Sequence, residues 1–319
     1  MIGFIISIIT GVALLPLLRK LKASQTLSSY LSKKHKAKEG TPTMGGLIFI
    51  IPTLLSIIIL LLLKKISFST NLFIVLFVFV SYALLGFIDD FLIIKRKNNV
   101  GLTEIQKLIG QIVIALVFFF IYMKSGADPV IEFYTLGFEV HLGWFYGLFL
   151  LFMLVASSNA VNITDGLDGL AGGLSLIEVI TFALIAANSK AIAGTSEISV
   201  FCFVLAGSLI GFLAFNSRPA KVFMGDTGSL ALGATLATIA IITKHELTFI
   251  IVSGVFIFET LVCLIQIVSM VYFHKKVFLM TPFHHHLEKL GWNERDIVVV
   301  FWCIGLLLSM AAIVFGVWY

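Results

Sequence analysis

The amino-acid sequence predicts an all-α, polytopic membrane protein that forms a single domain over residues 1–319. Hydrophobic residues make up 59% of the chain and charged residues only 12%, against roughly 45–50% and about 25% in soluble domains. Long uncharged runs recur along the chain, and each is close to the roughly 20 residues that a helix needs to cross a bilayer. Backbone groups in lipid must be satisfied internally, so these runs predict helices. A soluble globule is excluded.

Ten runs are long and apolar enough to be predicted spans. They are Ile2–Leu18, Gly45–Leu63, Asn71–Ile88, Leu108–Met123, Leu142–Ala156, Leu170–Ala187, Ile198–Phe215, Gly228–Thr243, Leu247–Phe273 and Asp296–Trp318. The first run does not read as a secretory signal, because Arg19 and Lys20 follow it instead of preceding it. The ninth run is unusually long, so we expect it to bend or protrude, with Gly254 as one weak point.

The basic residues predict the orientation of the chain in the membrane. The first, third, fifth, seventh and ninth loops hold 17 of the 22 Lys and Arg residues. The positive-inside rule therefore predicts that these loops are cytoplasmic and that both termini lie outside. The net charge of +5 is thus a topology signal and gives no indication of a nucleic-acid partner. Cys202, Cys263 and Cys303 all fall within spans, so we expect neither a disulfide nor a metal thiolate site.

Polar residues are rare in the middle of the spans and frequent near the cytoplasmic loops. A channel or an ion-coupled transporter would carry ionisable residues at mid-span, where only Glu178 and Glu259 occur. Each of these fits a helix–helix hydrogen bond as well as a functional role. Five distinctive segments fall in or beside cytoplasmic loops, namely Lys38–Gly46, Phe87–Phe91, Asn159–Gly173, Asn216–Gly228 and Thr281–Glu288. Their shared location predicts one active site at the membrane surface.

Two of these segments are rich in carboxylates. Asp89 and Asp90 are adjacent where the third span ends, and such a pair favours a divalent cation, since like charges repel unless a cation lies near them. The alternative is an acidic stop for the helix. Asn162, Asp165 and Asp168 recur every three residues among glycines, which suits hard cations. Asp168 could instead cap the sixth span.

The Asn216–Gly228 segment combines an acid with basic and aromatic residues. Asp226 or the following threonine could cap the eighth span. Asn216, Arg218 and Lys221 could instead contact a phosphorylated ligand. Phe223 could stack on a flat base. These residues favour binding of a nucleotide, although the capping role remains open.

The histidine run completes the set of candidate residues. His284, His285 and His286 are consecutive, which is the wrong spacing for a shared zinc site on a helix. On an extended segment two of them could point one way, and imidazoles can donate hydrogen bonds to pyrophosphate. The chain has neither a Walker P-loop nor a Rossmann glycine fingerprint. Oxygen ligands, basic donors and an aromatic face nevertheless suit phosphoryl transfer from a nucleotide donor.

The motifs together resemble a known family. TPTMGG at Thr41–Gly46, the aspartate pair, NITDGLDGLAGG at Asn162–Gly173, FMGDTGSLALG at Phe223–Gly233 and TPFHHHLE at Thr281–Glu288 resemble the polyprenyl-phosphate N-acetylhexosamine-1-phosphate transferases. TPTMGG and the histidine run resemble the branch that acts on UDP-MurNAc-pentapeptide. The resemblance implies a bacterial plasma-membrane enzyme that transfers phospho-MurNAc-pentapeptide from that donor to undecaprenyl phosphate, giving lipid I and UMP, with Mg²⁺ required. It also allows a homodimer.

The resemblance also implies roles for individual residues. Asp89, Asp90 and Asp226 are the catalytic acids, with Asp226 as the direct Mg²⁺ ligand and the other two as possible ligands. The implied substrate contacts are Lys38, Thr43, Asn162, Asp165, Leu167, Asp168, Phe223, Gln266, His284, His285 and His286. Two other functions remain, a sister GlcNAc-1-phosphate transferase and a transporter of lipid or nucleotide cargo. The mechanism is either direct attack by the lipid phosphate, which we favour, or a covalent phospho-aspartate intermediate.

Overall fold

The computed structural model describes residues 1–21, 40–96, 101–133, 138–188 and 194–317 as a helical bundle with one small hairpin. The helices are α1 (Ile2–Lys20), α2 (Leu47–Leu62), α3 (Thr70–Arg96), α4 (Glu104–Lys124), α5 (Phe145–Thr164), α6 (Leu170–Asn188), α7 (Thr195–Asn216), α8 (Gly225–Ile242), α9 (Glu246–Val252), α10 (Gly254–Val268), α11 (Phe283–Lys289) and α12 (Glu294–Val317). Ser269–Phe273 forms a π-helical turn after α10. The hairpin pairs β1 (Val130–Phe133) with β2 (Phe138–His141).

The predicted spans agree with the helices, and the structure adds one hairpin that was not predicted. Within the described ranges, 9 helices are long and apolar enough to cross a membrane, and α2 is a shorter apolar helix of 16 residues. The chain is therefore a multi-pass membrane protein. The all-α prediction missed the antiparallel hairpin between α4 and α5. Strands of four residues carry too little periodic pattern to be recognised in a sequence.

Helix α8 forms the centre of the bundle and packs against α3 and α5. Its small residues allow neighbouring backbones to approach closely. A Cβ atom on Gly233 would lie 2.3 Å from the Ser157 carbonyl oxygen of α5. A Cβ atom on Gly86 of α3 would lie 2.1 Å from the Asp226 carbonyl oxygen. The first turn of α8, which carries Asp226, is therefore held tightly by its neighbours.

The ninth predicted span is broken, as expected from its length. Helix α9 ends at Val252, Ser253 leaves the helical conformation with φ −82° and ψ 14°, and α10 begins at Gly254. The Ser253 hydroxyl donates to the Glu178 carboxylate of α6 over 2.9 Å. Glu178 therefore makes a helix–helix hydrogen bond at the break, which is one of the two roles open to it from sequence.

Two helices continue beyond the ends of their predicted spans. Helix α3 extends past Ile88 to Arg96, and α5 extends past Ala156 to Thr164. Asp89, Asp90 and Asn162 therefore lie on helices and not in loops. Hydropathy marks only the part of a helix that is immersed in lipid, so it cannot detect a polar extension at the membrane surface.

Candidate active site

Asp226 lies in the first turn of α8 and is held from two sides. The Lys107 ammonium of α4 is 2.5 Å from Asp226 Oδ2. The Asn162 amide of α5 donates to Asp226 Oδ1 over 2.8 Å and to the Ser229 hydroxyl over 2.9 Å. The Asp226 side chain is 17% exposed, compared with 5% for the Asp89 side chain. Asp226 is therefore a carboxylate of fixed orientation that a ligand can still reach.

Asp90 positions the N-terminus of α8 instead of ending α3. It is fully buried and accepts hydrogen bonds from the Thr227 hydroxyl over 2.6 Å, the Thr227 N–H over 3.0 Å and the Asp226 N–H over 3.3 Å. The Thr43 hydroxyl donates over 3.5 Å to Asp90 Oδ1, the oxygen that also accepts the Asp226 N–H. Gly225 turns the chain with φ +72°, and a Cβ atom there would lie 2.5 Å from an Asp90 oxygen. The turn into α8 thus requires glycine.

Asp89 shares the Lys107 ammonium with Asp226. Its Oδ2 is 3.7 Å from Lys107 Nζ, and its Oδ1 accepts the Leu102 N–H over 2.8 Å. A Cβ atom on Gly101 would lie 2.6 Å from that same Asp89 oxygen. The segment before α4 therefore packs its backbone directly on the carboxylate.

Two carboxylates, from Asp226 and Asp89, lie 2.5 Å and 3.7 Å from the Lys107 ammonium. Two carboxylates and one ammonium leave an excess of negative charge, so an additional cation would be stabilised. No group of at least three His, Cys, Asp or Glu side chains within the described ranges is arranged to hold a metal by itself. Mg²⁺ commonly uses only one or two carboxylates and completes its shell with phosphate oxygens and water. The oxygen donors of Asp226 and Asp89 fit that pattern.

The TPTMGG and FMGDTG segments are joined through their backbones. The Phe223 N–H donates to the Pro42 carbonyl over 2.8 Å, and the Gly45 N–H donates to the Phe223 carbonyl over 2.8 Å. The Gly46 N–H donates to the Met224 carbonyl over 2.9 Å. This pairing brings Thr43 to the aspartate pair and leaves the Phe223 ring half-buried at the edge of the site. Lys38 lies outside the described residues.

Asp168 and Asn216 join the turn after α5 to the loop before α8. Asp168 Oδ2 accepts the Ala220 N–H over 3.0 Å. Asn216 accepts the Gly169 N–H over 3.1 Å and donates to the Val222 carbonyl over 3.0 Å. Both side chains are buried, as is the predicted contact residue Leu167. These hydrogen bonds orient the loop that leads to Phe223. Asp165 ends α5 and is partly exposed.

The histidine run lies in the short helix α11 and not on the extended segment that was considered from sequence. Glu259 of α10 accepts the Phe283 N–H over 2.6 Å and the His284 N–H over 3.1 Å. The carboxylate therefore satisfies donors at the N-terminus of α11, where the helix dipole is also favourable. Glu259 makes a contact between helices, which is again one of the two roles open to it from sequence.

The three imidazoles lie in different environments. His284 is buried with Nδ1 3.3 Å from a Glu259 oxygen, and a Cβ atom on Gly166 would lie 2.3 Å from its Nε2. His285 pairs with Glu288 over 2.7 Å. His286 Nδ1 accepts the Leu279 N–H over 3.1 Å. The contact with Gly166 brings α11 against the turn after α5.

Gln266 lies near the end of α10 and folds the following loop back on the helix. Its Oε1 accepts the N–H groups of Val277 and Phe278 over 3.1 Å and 3.0 Å. The predicted contact of Gln266 with substrate stays a prediction. The side chain already has a second function, since it holds the segment that precedes α11.

Lys107 is the principal residue that sequence reasoning missed. Thr103 and Gln106 form a reciprocal capping box that begins α4 and places Lys107 in its first turns. A cation near a helix N-terminus opposes the helix dipole, so it needs a compensating anion. Recognising the capping box with the lysine that follows it would have signalled a carboxylate partner.

Comparison with known proteins gives the family. The model of glycosyl transferase family 4 matches residues 72–244, and signature 1 of phospho-N-acetylmuramoyl-pentapeptide-transferase matches residues 38–50. The phospho-N-acetylmuramoyl-pentapeptide-transferase of Geobacillus sp. (strain WCH70) is 46% identical over 99% of this chain and 96% of its own length. The protein of the same name in Bacillus subtilis (strain 168) is 44% identical over 100% and 97%. The chain therefore belongs to the phospho-N-acetylmuramoyl-pentapeptide-transferase family.

Proposed function

We propose that the protein transfers phospho-MurNAc-pentapeptide from UDP-MurNAc-pentapeptide to undecaprenyl phosphate, giving lipid I and UMP. The observation that carries the proposal is the Asp226 carboxylate, fixed between Lys107 and Asn162 beside Asp89. This cluster combines a partly exposed carboxylate, an ammonium and a helix N-terminus, which suit a pyrophosphate with a divalent cation. The family relatives carry the name of this activity.

The donor binds at the N-terminus of α8. Asp226 and Asp89 would hold Mg²⁺, which when bound neutralises charge on the pyrophosphate. The Lys107 ammonium lies beside these carboxylates and would bind phosphate oxygens. The Asp226 and Thr227 N–H groups already donate to Asp90, so the N-terminus of α8 would favour the anion through its helix dipole. Phe223 offers a ring for the uracil. Lys38, Asp165, Gln266 and the three histidines remain proposed contacts.

The acceptor lipid reaches the site from the membrane side. An apolar cavity of about 350 Å³ lies between α5 and the broken ninth span. Phe149, Phe152 and Phe249 line it, and it extends along α10 to Leu264, close in sequence to Gln266. A polyprenyl chain fits such a lining because both surfaces are hydrocarbon. The cavity thus supports a lipid substrate for this chain.

We favour direct attack of the lipid phosphate on the β-phosphorus of the donor. A phosphate monoester has a second pKa near 6, so it is mostly dianionic at pH 7 and needs little activation. Asp90 is occupied in holding α8, which makes it a poor covalent nucleophile. Asp89 would orient the acceptor or accept its residual proton. Exchange of labelled UMP into the donor without any lipid phosphate would contradict this mechanism.

We infer that the site faces the cytoplasm of a bacterial plasma membrane, with both termini outside, because 17 of 22 basic residues fall in the loops assigned to that side. A homodimer stays a prediction, which light scattering of the protein in detergent tests.

The transporter alternative loses support, since Glu178 and Glu259 are occupied in helix contacts.

Release of UMP by purified protein tests the function directly. The protein is incubated with Mg²⁺, undecaprenyl phosphate and either UDP-MurNAc-pentapeptide or UDP-GlcNAc. With lipid present, we expect turnover of UDP-MurNAc-pentapeptide and not of UDP-GlcNAc. Omission of the lipid should stop this turnover. Turnover with UDP-GlcNAc alone would assign the chain to the sister activity, and no turnover with either donor would overturn the proposal.

A further inference from the structure

The segment after α10 exposes apolar side chains around two lysines. We call Ser269–Leu279, the π-helical turn with the loop that follows it, the exit segment. Every residue from Val271 to Val277 is exposed, with Tyr272 at 75% and Phe273 at 68%. Lys275 and Lys276 lie within this run. The exposed run is thus continuous along the chain and combines apolar side chains with positive charge.

The exit segment is held in place by specific hydrogen bonds. The Ser269 hydroxyl donates to the Lys275 carbonyl over 2.8 Å, and Gln266 accepts the N–H groups of Val277 and Phe278. His274 adopts a left-handed conformation with φ +52°, which turns the chain between the π-helical turn and the loop. The exposure of the aromatic rings therefore results from a defined backbone course that presents them outward.

Charge along this part of the chain has one sign. The sequence carries no Asp or Glu between Glu259 and Glu288. Neither water nor hydrocarbon alone suits such a segment. Water would leave the Tyr272 and Phe273 rings hydrated, and the bilayer core would leave two ammonium groups without partners. The headgroup boundary satisfies both, because apolar side chains can insert while lysines meet lipid phosphates.

We propose that the exit segment is a docking surface for anionic phospholipid headgroups in the leaflet on the active-site side. Tyr272 and Phe273 insert at the boundary between headgroups and acyl chains, and Lys275 and Lys276 bind the phosphates. Gln266 joins the segment to α10, and Leu279 donates to His286 of α11. Docking therefore anchors the histidine helix at the membrane surface. The proposal does not depend on the transfer reaction.

A fluorescence experiment tests the docking in vesicles. In Tyr272→Trp the new tryptophan is the reporter, and its fluorescence is taken as the difference between the variant and the unsubstituted protein. Brominated phosphatidylglycerol and brominated phosphatidylcholine serve as the quenchers. We expect stronger quenching by the anionic lipid. In Lys275→Gln/Lys276→Gln this preference should fall by roughly fivefold per lysine, because a juxtamembrane lysine contributes about 1 kcal/mol. High salt should reduce the preference likewise.

Two further measurements keep the result unambiguous. Lys64 and Lys65 are exposed at the opposite end of the bundle, since α2 begins beside the site and ends at Leu62. Lys64→Gln/Lys65→Gln should leave the quenching preference unchanged. Equal quenching by both lipids, or a preference that survives Lys275→Gln/Lys276→Gln, would overturn the proposal. A rise in KM for undecaprenyl phosphate without any change in quenching would assign the lysines to the acceptor and overturn it too.

Discussion

Each end of the bundle holds a partly buried lysine among acids and hydrogen-bonding groups, yet the two clusters differ. At the site end, Lys107 lies between Asp226 and Asp89. At the opposite end, Lys244 donates to the Asp128 and Val130 carbonyls of the hairpin region over 2.6 Å and 3.3 Å and approaches the Tyr146 hydroxyl at 3.2 Å. One lysine contacts two carboxylates, and the other mainly contacts neutral oxygens.

The difference lies in how completely the charges are compensated. Tyr146 donates to Glu246 over 2.8 Å, and the Lys244 ammonium also lies over the Tyr146 ring at 5.0 Å. Burial lowers the pKa of Lys244, while the nearby acids oppose that shift. At the site end, the carboxylates of Asp226 and Asp89 share one ammonium. An excess of negative charge in a reachable position suits a cation and a phosphate ligand, whereas a balanced cluster suits a structural contact.

The largest expected effect is at Asp226. Asp226→Asn keeps the size of the side chain and removes its charge, so Mg²⁺ binding should weaken and kcat should fall by roughly 10²–10³-fold. UMP release over a range of Mg²⁺ concentrations measures this loss. Near-normal turnover of the variant at low Mg²⁺ would show that Asp226 is not the metal ligand.

Gly225→Ala should lower kcat about tenfold or more, because its Cβ atom would lie 2.5 Å from both an Asp90 oxygen and the Thr43 hydroxyl. Gly126→Ala is a matched control. Its φ is +87°, close to the +72° of Gly225, but no atom lies within 4 Å of the added Cβ. Both variants carry backbone strain of about 1–2 kcal/mol. Equal losses of kcat would show that strain alone, and not the contact with Asp90, limits activity.

Phe223→Ala should raise the dissociation constant for UMP about tenfold, since stacking of a base on an aromatic ring contributes roughly 1–3 kcal/mol. Phe223→Tyr should preserve binding because it retains the ring. Calorimetric titration of the two variants with UMP measures the difference. Unchanged affinity in Phe223→Ala would remove the stacking role.

Lys107→Gln should lower the Mg²⁺ concentration for half-maximal metal binding by several-fold, because the ammonium no longer competes for Asp226 and Asp89. Mn²⁺ titration followed by electron paramagnetic resonance measures this affinity without turnover. Maximal turnover should fall as well, since a phosphate contact is lost. Weaker metal binding in the variant would contradict the competition between the two cations.

Lys244→Gln should have the smallest effect on activity and a measurable effect on stability. Losing the contacts to the hairpin carbonyls should lower the free energy of unfolding by about 1–3 kcal/mol. Thermal unfolding in detergent measures this change, and kcat at low temperature should stay within about twofold of the parent. A large loss of kcat with unchanged unfolding would place Lys244 in the reaction instead.

Prediction from sequence succeeded for features written in consecutive residues. Hydrophobic runs predicted the spans, and the length of the ninth run predicted a bend that occurs at Ser253. Prediction failed where a side chain hydrogen-bonds a backbone group that is distant in the sequence. Asn216 reads as a ligand contact in sequence, yet it hydrogen-bonds Gly169, which lies 47 residues away. Hydrogen-bond partners of this kind depend on packing and leave no periodic signal.

The sequence by itself determined the membrane-spanning helices and the motif segments, because hydropathy and glycine-rich turns act over neighbouring residues. Only the tertiary structure decided that Lys107 and Asn162 meet Asp226, across 119 and 64 residues of chain. That meeting depends on how closely α3, α4 and α5 pack around the small residues of α8. Close packing of the helices determines which polar side chains come into contact, and these contacts form the site from separate motifs.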